Sequence, residues 1–270
     1  MNRIATILTI GLLLSSLAVW GIVLERLFGG QPLLPCRVPA TRSRPWMAMG
    51  IVGLWVTFSL SGALLGGEQQ KLPAVELDRA IRVTLLNVME QCISTFAMIL
   101  ALSGLGARSL SRYGIDIKLF GERVLWGISG YLASIIPVVL MNILMAGYHN
   151  SENRHPYLQL LAQQDSLQLL IPLMFSAVIM APLGEELMYR VILQGSLQRV
   201  VGPWMAIPIA SAIFSAVHGF PDMVSLFPLA LILGFLYWRT GSYLVSVTAH
   251  ASFNAVNICM VLLSPVSENS

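Results

Sequence analysis

The stretch from Ile171 to Leu197 reads IPLMFSAVIMAPLGEELMYRVILQGSL and carries only three charged residues, Glu185, Glu186 and Arg190. An apolar run of this length predicts a helix that crosses a membrane. Ionisable side chains at membrane depth are energetically costly, rare and usually functional. We therefore expect the two adjacent glutamates to belong to a functional site rather than to a simple membrane anchor.

The composition of the whole chain is that of a polytopic membrane protein. Its 270 residues are 56% hydrophobic and 11% charged, whereas soluble domains have about 25% charged residues. The net charge is +3 and no basic cluster contains interleaved aromatic residues, so nucleic acid is not expected as a partner. Cys36, Cys92 and Cys259 are far apart with no CxxC motif, which indicates neither a disulfide framework nor a cysteine zinc site.

The apolar segments predict an all-α bundle of about eight transmembrane helices. The first, Ile4 to Leu24, is longer than a signal-peptide core, so we predict a retained helix. Spans of roughly 20 residues are needed to cross about 30 Å of hydrocarbon. Suitable segments lie near residues 4–24, 46–66, 81–106, 124–147, 167–198, 203–218, 223–238 and 242–263.

Two features predict broken helices at the site. Pro182 and Gly184 directly precede the glutamates, and the sequence HGFPD at 218–222 separates two short apolar segments. If every segment crossed the membrane completely, Glu185 and His218 would lie near opposite faces. Irregular backbone at membrane depth is tolerated where it lines a water-filled cavity, so we expect these polar residues to meet in a wet pocket.

The spacing of the charged residues predicts different roles for the two glutamates. Glu186 and Arg190 are four residues apart, so they share a helix face and can form an ion pair. Glu185 is rotated by about 100° from its neighbour and stays free to take a proton from water. An unpaired buried carboxyl has a raised pKa, which suits a general base.

Two later segments supply histidines and an amide. His250 and Asn254 are four residues apart in HASFN, and His218 follows Phe214 by one turn in FSAVH. An imidazole can bind a metal or move a proton, and an amide can donate to a developing oxyanion. With the glutamates, these groups suit attack of an activated water on an amide carbonyl.

These three segments resemble the motifs of a known family. GEELMYR at 184–190, FSAVH at 214–218 and HASFN at 250–254 are similar to EExxxR, FxxxH and HxxxN of the CPBP family (CAAX proteases and bacteriocin-processing proteins). Its best-known member is the type II CAAX prenyl endopeptidase. The resemblance spans about residues 167–263 and implies a catalytic core at residues 161–270. About four N-terminal membrane helices at residues 1–160, assigned by their count, would belong to the same bundle.

The resemblance also implies a role for each residue. Glu185 would be the base that activates water, and Glu186 would support it while Arg190 holds the second carboxylate. His218 would position or activate the water, and His250 and Asn254 would bind and polarise the scissile carbonyl. Phe214 would support the site by packing.

The sequence does not decide metal dependence, although it favours a metal-free site. The usual helical zinc motif HExxH is absent from the sequence. Glu185, His218 and His250 could still supply three zinc ligands with water as the fourth. Zinc therefore stays open as an alternative cofactor.

The favoured function is an intramembrane endopeptidase that acts on a peptide or membrane-protein substrate presented at the lipid bilayer. The expected location is the bacterial inner (plasma) membrane, with several membrane passes. One alternative is a transporter with a carboxylate proton relay, but the paired repeats typical of transporters are not seen. Another is a non-catalytic membrane scaffold or immunity factor. The oligomeric state and prenylation of the substrate are not indicated by the sequence.

Overall fold

The computed structural model describes residues 3–34, 50, 77–104, 110–148 and 166–263. Within these residues the chain is helical apart from short connections, and no strand occurs. The predicted span near 46–66, apart from residue 50, lies outside the described residues, as does Cys36.

The described part of the chain contains seven helices, which we number in chain order. Six of them are long and apolar enough to cross a membrane, whereas the helix at Pro203–Ala216 has only 14 residues. The all-helical class is therefore confirmed, and the predicted number of about eight spans is not. The helices are α1 (Arg3–Phe28), α2 (Leu77–Gly104), α3 (Phe120–Met145), α4 (Leu167–Val201), α5 (Pro203–Ala216), α6 (Asp222–Thr240) and α7 (Tyr243–Leu263).

Helix α3 packs closely against α6 and α7 through two glycines. A Cβ at Gly127 would lie 2.5 Å from Thr248 Cβ and 2.9 Å from the Val245 carbonyl oxygen. At Gly130 it would collide with the side chain of Leu236. Small residues at helix contacts allow membrane helices to approach closely, so these two glycines set the spacing at the centre of the bundle.

Helix α1 contacts α3 through a hydrogen bond that a proline makes possible. Pro137 lies inside α3 and has no N–H, so the carbonyl four residues earlier loses its helical donor. That carbonyl belongs to Ala133, and Trp20 Nε1 donates to it at 3.0 Å. The indole therefore satisfies a backbone acceptor that would otherwise lack a partner in the apolar interior.

Helix α4 runs without a break from Leu167 to Val201. The predicted interruption at Pro182 and Gly184 is therefore not confirmed. The reason is local: a π-helical stretch, Phe175–Met180, precedes an α-helical turn, Ala181–Glu186, in which Pro182 lies near the N-terminus. A second π-helical stretch follows at Leu187–Gln194. Such π-helical turns are frequent at functional sites.

The hairpin formed by α4 and α5 returns the chain to the depth of the glutamates. Gly202, with a φ of 76°, makes the turn between the two helices. At about 1.5 Å per residue, Glu185 lies about 25 Å before this turn and His218 about 24 Å after it. The 14 residues of α5 are fewer than the roughly 20 that a complete crossing needs, so a full span near 203–218 is not confirmed. The expectation that complete crossing fails locally agrees with this, and His218 comes back to the level of Glu185.

A short connection before α3 docks onto the turn between α6 and α7. The Gly114 carbonyl accepts the Tyr243 N–H at 3.0 Å, and Tyr237 Oη donates to the Tyr113 carbonyl at 3.1 Å. In the same connection, Asp116 pairs with Arg123 at 2.7 Å. Burial raises the pKa of Asp116, but the hydrogen bond and charge of Arg123 outweigh it and hold that pKa below its ordinary value.

Candidate active site

A cavity of about 660 Å³ lies among the described helices and contains most of the predicted site residues. Its walls come from α2, α3, α4, α6 and α7, with one residue from α5 and one from the connection that follows it. Five of the seven predicted residues line it: Glu185, Phe214, His218, His250 and Asn254. The structure therefore brings together groups that are up to 69 positions apart in the sequence.

The other two predicted residues, Glu186 and Arg190, lie behind the cavity wall. Both side chains are completely buried, whereas the side chain of Glu185 is 28% exposed. The 100° step between successive helical residues accounts for this difference, because it directs one carboxylate into the cavity and the other into the protein interior.

The two carboxylate oxygens of Glu186 have different partners. Arg190 Nε donates to Oε2 at 3.1 Å, as the four-residue spacing predicts. His250 Nδ1 lies 3.0 Å from Oε1. A carboxylate accepts hydrogen bonds, so Nδ1 carries the proton in this pair. The spacing of residues along the sequence does not reveal this contact, because it joins residues of α4 and α7 that are 64 positions apart.

This contact sets the direction of the His250 ring. With Nδ1 held by Glu186, Nε2 points towards Glu185 and lies 3.8 Å from its Oε2. A carboxylate that accepts a hydrogen bond from one ring nitrogen of a histidine fixes the tautomer and the orientation of the ring. Glu186 therefore acts on the cavity through His250, in addition to neutralising Arg190.

Arg190 is neutralised on one side and covered by an aromatic ring on the other. Its guanidinium carbon lies 5.1 Å from the centroid of the Phe214 ring, within the range of a cation–π contact. Neither terminal nitrogen of Arg190 has a hydrogen-bond partner among the residues that the structure describes. The buried charge is thus balanced by the Glu186 carboxylate and the face of Phe214.

Phe214 contacts three further rings around the site. Its centroid lies 4.9 Å from that of His218, 5.6 Å from that of His250 and 5.1 Å from that of Tyr189. These separations are typical of favourable ring pairs. The expected packing role of Phe214 therefore has a specific form, since one ring separates the two histidines and covers the arginine.

His218 presents one nitrogen to the cavity, and the hydrogen bond of its other nitrogen defines the tautomer of the neutral ring. Its Nδ1 lies 2.8 Å from the carbonyl oxygen of Phe214. A carbonyl can only accept, so Nδ1 donates, and in the neutral ring Nε2 has a free lone pair. The carbonyl is available because it belongs to the last turn of α5, where helical donors run out.

Asn254 is anchored to the π-helical part of α4. Its Nδ2 donates to the Ala177 carbonyl at 2.8 Å. This bond uses one of the two amide hydrogens and leaves the second one for another acceptor. Asn254 therefore joins α7 to α4 while its side chain lines the cavity.

One further polar contact joins α2 to the site. Gln91 lines the cavity, and Ser176 Oγ donates to its Oε1 at 3.0 Å. The signal in the sequence was the polar group Asn87, Glu90 and Gln91 in an apolar helix. That group did not reveal which of the three residues faces the cavity.

The described residues do not contain a group of three or more His, Cys, Asp or Glu side chains that could hold a metal ion. The zinc alternative required Glu185, His218 and His250 to form such a group. Each histidine uses Nδ1 for a protein partner, which histidine ligands of metals also do, so these hydrogen bonds do not decide the question. Because the described residues do not gather the three ligands, no step of the reaction is derived through a metal.

The fold and the site define a multi-pass helical membrane protein with a paired-glutamate and histidine site in an internal cavity. Residues 167–256 match the family model described as type II CAAX prenyl endopeptidase Rce1-like. This match supports the assignment to the CAAX protease (CPBP) family that the three motifs predicted. The match covers a third of the chain and includes all seven predicted site residues. Neither the curated proteins nor the solved structures give a significant match.

Proposed function

We propose that the protein is an intramembrane endopeptidase in which Glu185 activates water for attack on a peptide bond without a metal. The observation that carries the proposal is the convergence of Glu185, His218, His250 and Asn254 on one cavity. Residues 161–270 would form the catalytic core, preceded by membrane helices in residues 1–160. The proposed location is the bacterial plasma membrane.

Glu185 is the general base because it is the carboxylate that reaches the cavity. Its neighbour Glu186 is fully buried and already accepts two hydrogen bonds. A water beside Glu185 can also donate to the free Nε2 of His218. Two acceptors then orient its hydrogens and leave an oxygen lone pair for the scissile carbonyl carbon.

His250 and Asn254 stabilise the negative charge that develops on the carbonyl oxygen. When His250 is protonated, its Nε2–H points into the cavity, and the second amide hydrogen of Asn254 is also available. The water oxygen bonds to the carbonyl carbon, and its proton passes to Glu185. That proton then moves to the leaving nitrogen as the C–N bond breaks, which produces a carboxylic acid and an amine.

Glu186 and Arg190 maintain the charge balance of this arrangement. With both glutamates ionised and both Arg190 and His250 protonated, the four groups have no net charge. Removal of the Glu186 carboxylate would leave Arg190 without its anion and His250 free to turn. We therefore assign Glu186 and Arg190 to positioning rather than to direct contact with the substrate.

The test is proteolysis by the purified protein in liposomes. The first probe is an internally quenched peptide with a farnesylated CAAX end, and the second is the same peptide without the prenyl chain. We expect Glu185→Gln to reduce kcat by about 10³-fold or more, because a general base contributes about 10²–10⁴-fold and the amide also alters the water position.

The matched control is Glu90→Gln, which removes a carboxylate from the apolar helix α2 at a position that does not line the cavity. This variant is expected to retain wild-type turnover. Wild-type activity of Glu185→Gln would contradict the mechanism. Absence of turnover of both peptides by the wild-type protein would contradict the endopeptidase function.

A further inference from the structure

The cavity extends beyond the three motifs to two asparagines that the proposed reaction does not use. Asn142 of α3 and Asn257 of α7 both line it. Both residues are exposed, and neither has a hydrogen-bond partner in the part of the chain that the structure describes. Two amides without protein partners thus face the space that the catalytic groups share.

The position of Asn257 follows from the helical spacing of α7. His250, Asn254, Asn257 and Val261 all line the cavity, at successive steps of four, three and four residues. They form a stripe along one face of the helix. Asn257 is seven residues from His250, which corresponds to about 10 Å along the helix axis.

A neighbouring wall supplies the second amide in the same way. Val138 and Asn142 are four residues apart on α3 and both line the cavity. Helix α3 packs along α7, so the two asparagines lie on neighbouring walls. Ile258, Met260 and Val261 make the surrounding lining apolar.

Amides in an apolar wall match the chemistry of a peptide main chain. Each primary amide offers a donor and an acceptor, which are the complements of a peptide C=O and N–H. An extended substrate drawn into the cavity loses water from its peptide groups, and each unsatisfied group is costly in an apolar environment. A wall asparagine can replace that water.

We propose that Asn257 and Asn142 form a subsite that binds the main chain of an extended peptide substrate. The proposal rests on the endopeptidase function for the position of the scissile bond. An extended chain advances about 3.3 Å per residue. The separation of about 10 Å between His250 and Asn257 along the helix axis therefore places the peptide group bound by Asn257 about three residues from the bond that is cut. Recognition at this position depends on the backbone and is independent of the substrate side chain.

The experiment combines two protein variants with backbone-modified peptides. Asn257→Leu and Asn142→Leu replace the amide with an apolar group of similar size. The probe is the peptide that the wild-type protein cleaves. A series of versions is prepared, each N-methylated at one main-chain nitrogen, with positions on both sides of the scissile bond. We measure KM and kcat, and also measure Kd by fluorescence anisotropy with the Glu185→Gln protein as the background.

The expected result is a position-specific loss of binding. With both asparagines present, N-methylation of the peptide about three residues from the scissile bond should raise KM and Kd about tenfold. A tenfold change corresponds to the loss of about one hydrogen bond. Asn257→Leu should raise both values by a similar factor for the unmodified peptide. In that variant the N-methyl group should have little further effect, because the two changes remove one interaction.

The control is Cys259→Leu, on the same helix but absent from the cavity wall, which should leave KM unchanged. Cleavage with unaltered KM in both asparagine variants would overturn the subsite while leaving the endopeptidase intact. Peptide binding that depends on the asparagines without any cleavage would support the subsite and overturn the endopeptidase. Absence of both binding and cleavage would overturn both proposals.

Discussion

Helices α1 and α4 are both apolar enough to cross a membrane, yet they are held in the protein in different ways. Of the 18 most apolar consecutive residues of α1, only 6% are buried inside the protein, compared with 28% for the same length of α4. Helix α1 packs on α3 through apolar side chains such as Leu12 and Leu13 and is hydrogen-bonded to it through the Trp20 indole. Helix α4 contains a buried ion pair, accepts hydrogen bonds from Asn254 and Tyr243, and includes two π-helical stretches.

The comparison shows that the hydropathy of a membrane helix does not determine how firmly the helix is held against its neighbours. Lipid tails are as apolar as leucine side chains, so apolar surface alone does not determine which helices associate. Close packing at small residues and the pairing of polar atoms provide that specificity. Helix α4 has both, since a Cβ at Gly184 would lie 3.0 Å from Thr95 Oγ1 and its carbonyls accept hydrogen bonds from α7. The proposed catalytic glutamate on it can therefore be held in a fixed arrangement.

The largest expected effect comes from breaking the buried pair of α4. Glu186→Leu leaves the Arg190 guanidinium and the His250 Nδ1–H buried without their acceptor. We expect a loss of about 3–5 kcal/mol in the free energy of unfolding, as for other buried pairs with one partner removed. The measurement is denaturant-induced unfolding in detergent micelles.

Two comparisons sharpen this prediction. Leu14→Ala on the exposed surface of α1 should change the free energy of unfolding by less than about 0.5 kcal/mol. The double variant Glu186→Leu with Arg190→Met should recover much of the stability lost in the single variant, because no buried charge remains. A double variant that is less stable than Glu186→Leu alone would contradict the charge explanation.

A smaller effect is expected from adding a methyl group at a close helix contact. Gly127→Ala places a Cβ 2.5 Å from Thr248 Cβ and 2.9 Å from a backbone oxygen, so α3 and α7 must move apart. We expect a loss of about 1–3 kcal/mol, the usual range for overpacking. The same unfolding measurement applies.

The matched control is Gly21→Ala in α1, where a new Cβ meets no atom within 4 Å. Alanine is a better helix former than glycine by about 1 kcal/mol, so this variant should be neutral or slightly more stable. Equal destabilisation by the two substitutions would show that α1 is packed as closely as α3, and would contradict the contrast between the two regions.

The sequence predicted the features of the site that depend on local spacing. A separation of four residues is sufficient to place Glu186 and Arg190 on one helix face. A separation of one residue is sufficient to direct the side chains of Glu185 and Glu186 to different sides of the helix. Composition and apolar length were likewise sufficient for an all-helical membrane protein. These properties require only the geometry of a single helix.

The remaining features depend on contacts between helices, which local spacing does not contain. The hydrogen bond between Glu186 and His250 requires the rotation of α4 relative to α7, and π-helical turns alter that rotation. Pro182 was interpreted as a break because proline usually disrupts a helix, but the widened turn before it allows α4 to continue. The number of membrane spans was uncertain because α5 is shorter than a complete crossing.

The smallest expected effect tests the single indole contact of α1. Trp20→Phe removes the donor to the Ala133 carbonyl, and we expect a loss of about 1 kcal/mol in the free energy of unfolding, close to the net value of one hydrogen bond.

The Ala133 carbonyl is available as an acceptor because Pro137 provides no N–H. Pro137→Ala supplies a helical donor to the same carbonyl, so the loss caused by Trp20→Phe should be smaller in that background. The four proteins form a double-mutant cycle, and unfolding free energies give the coupling between residues 20 and 137. Zero coupling would mean that ring packing, rather than the proline-freed carbonyl, holds α1 against α3. Substantial coupling would show that even the least buried spanning helix takes its position from a polar atom.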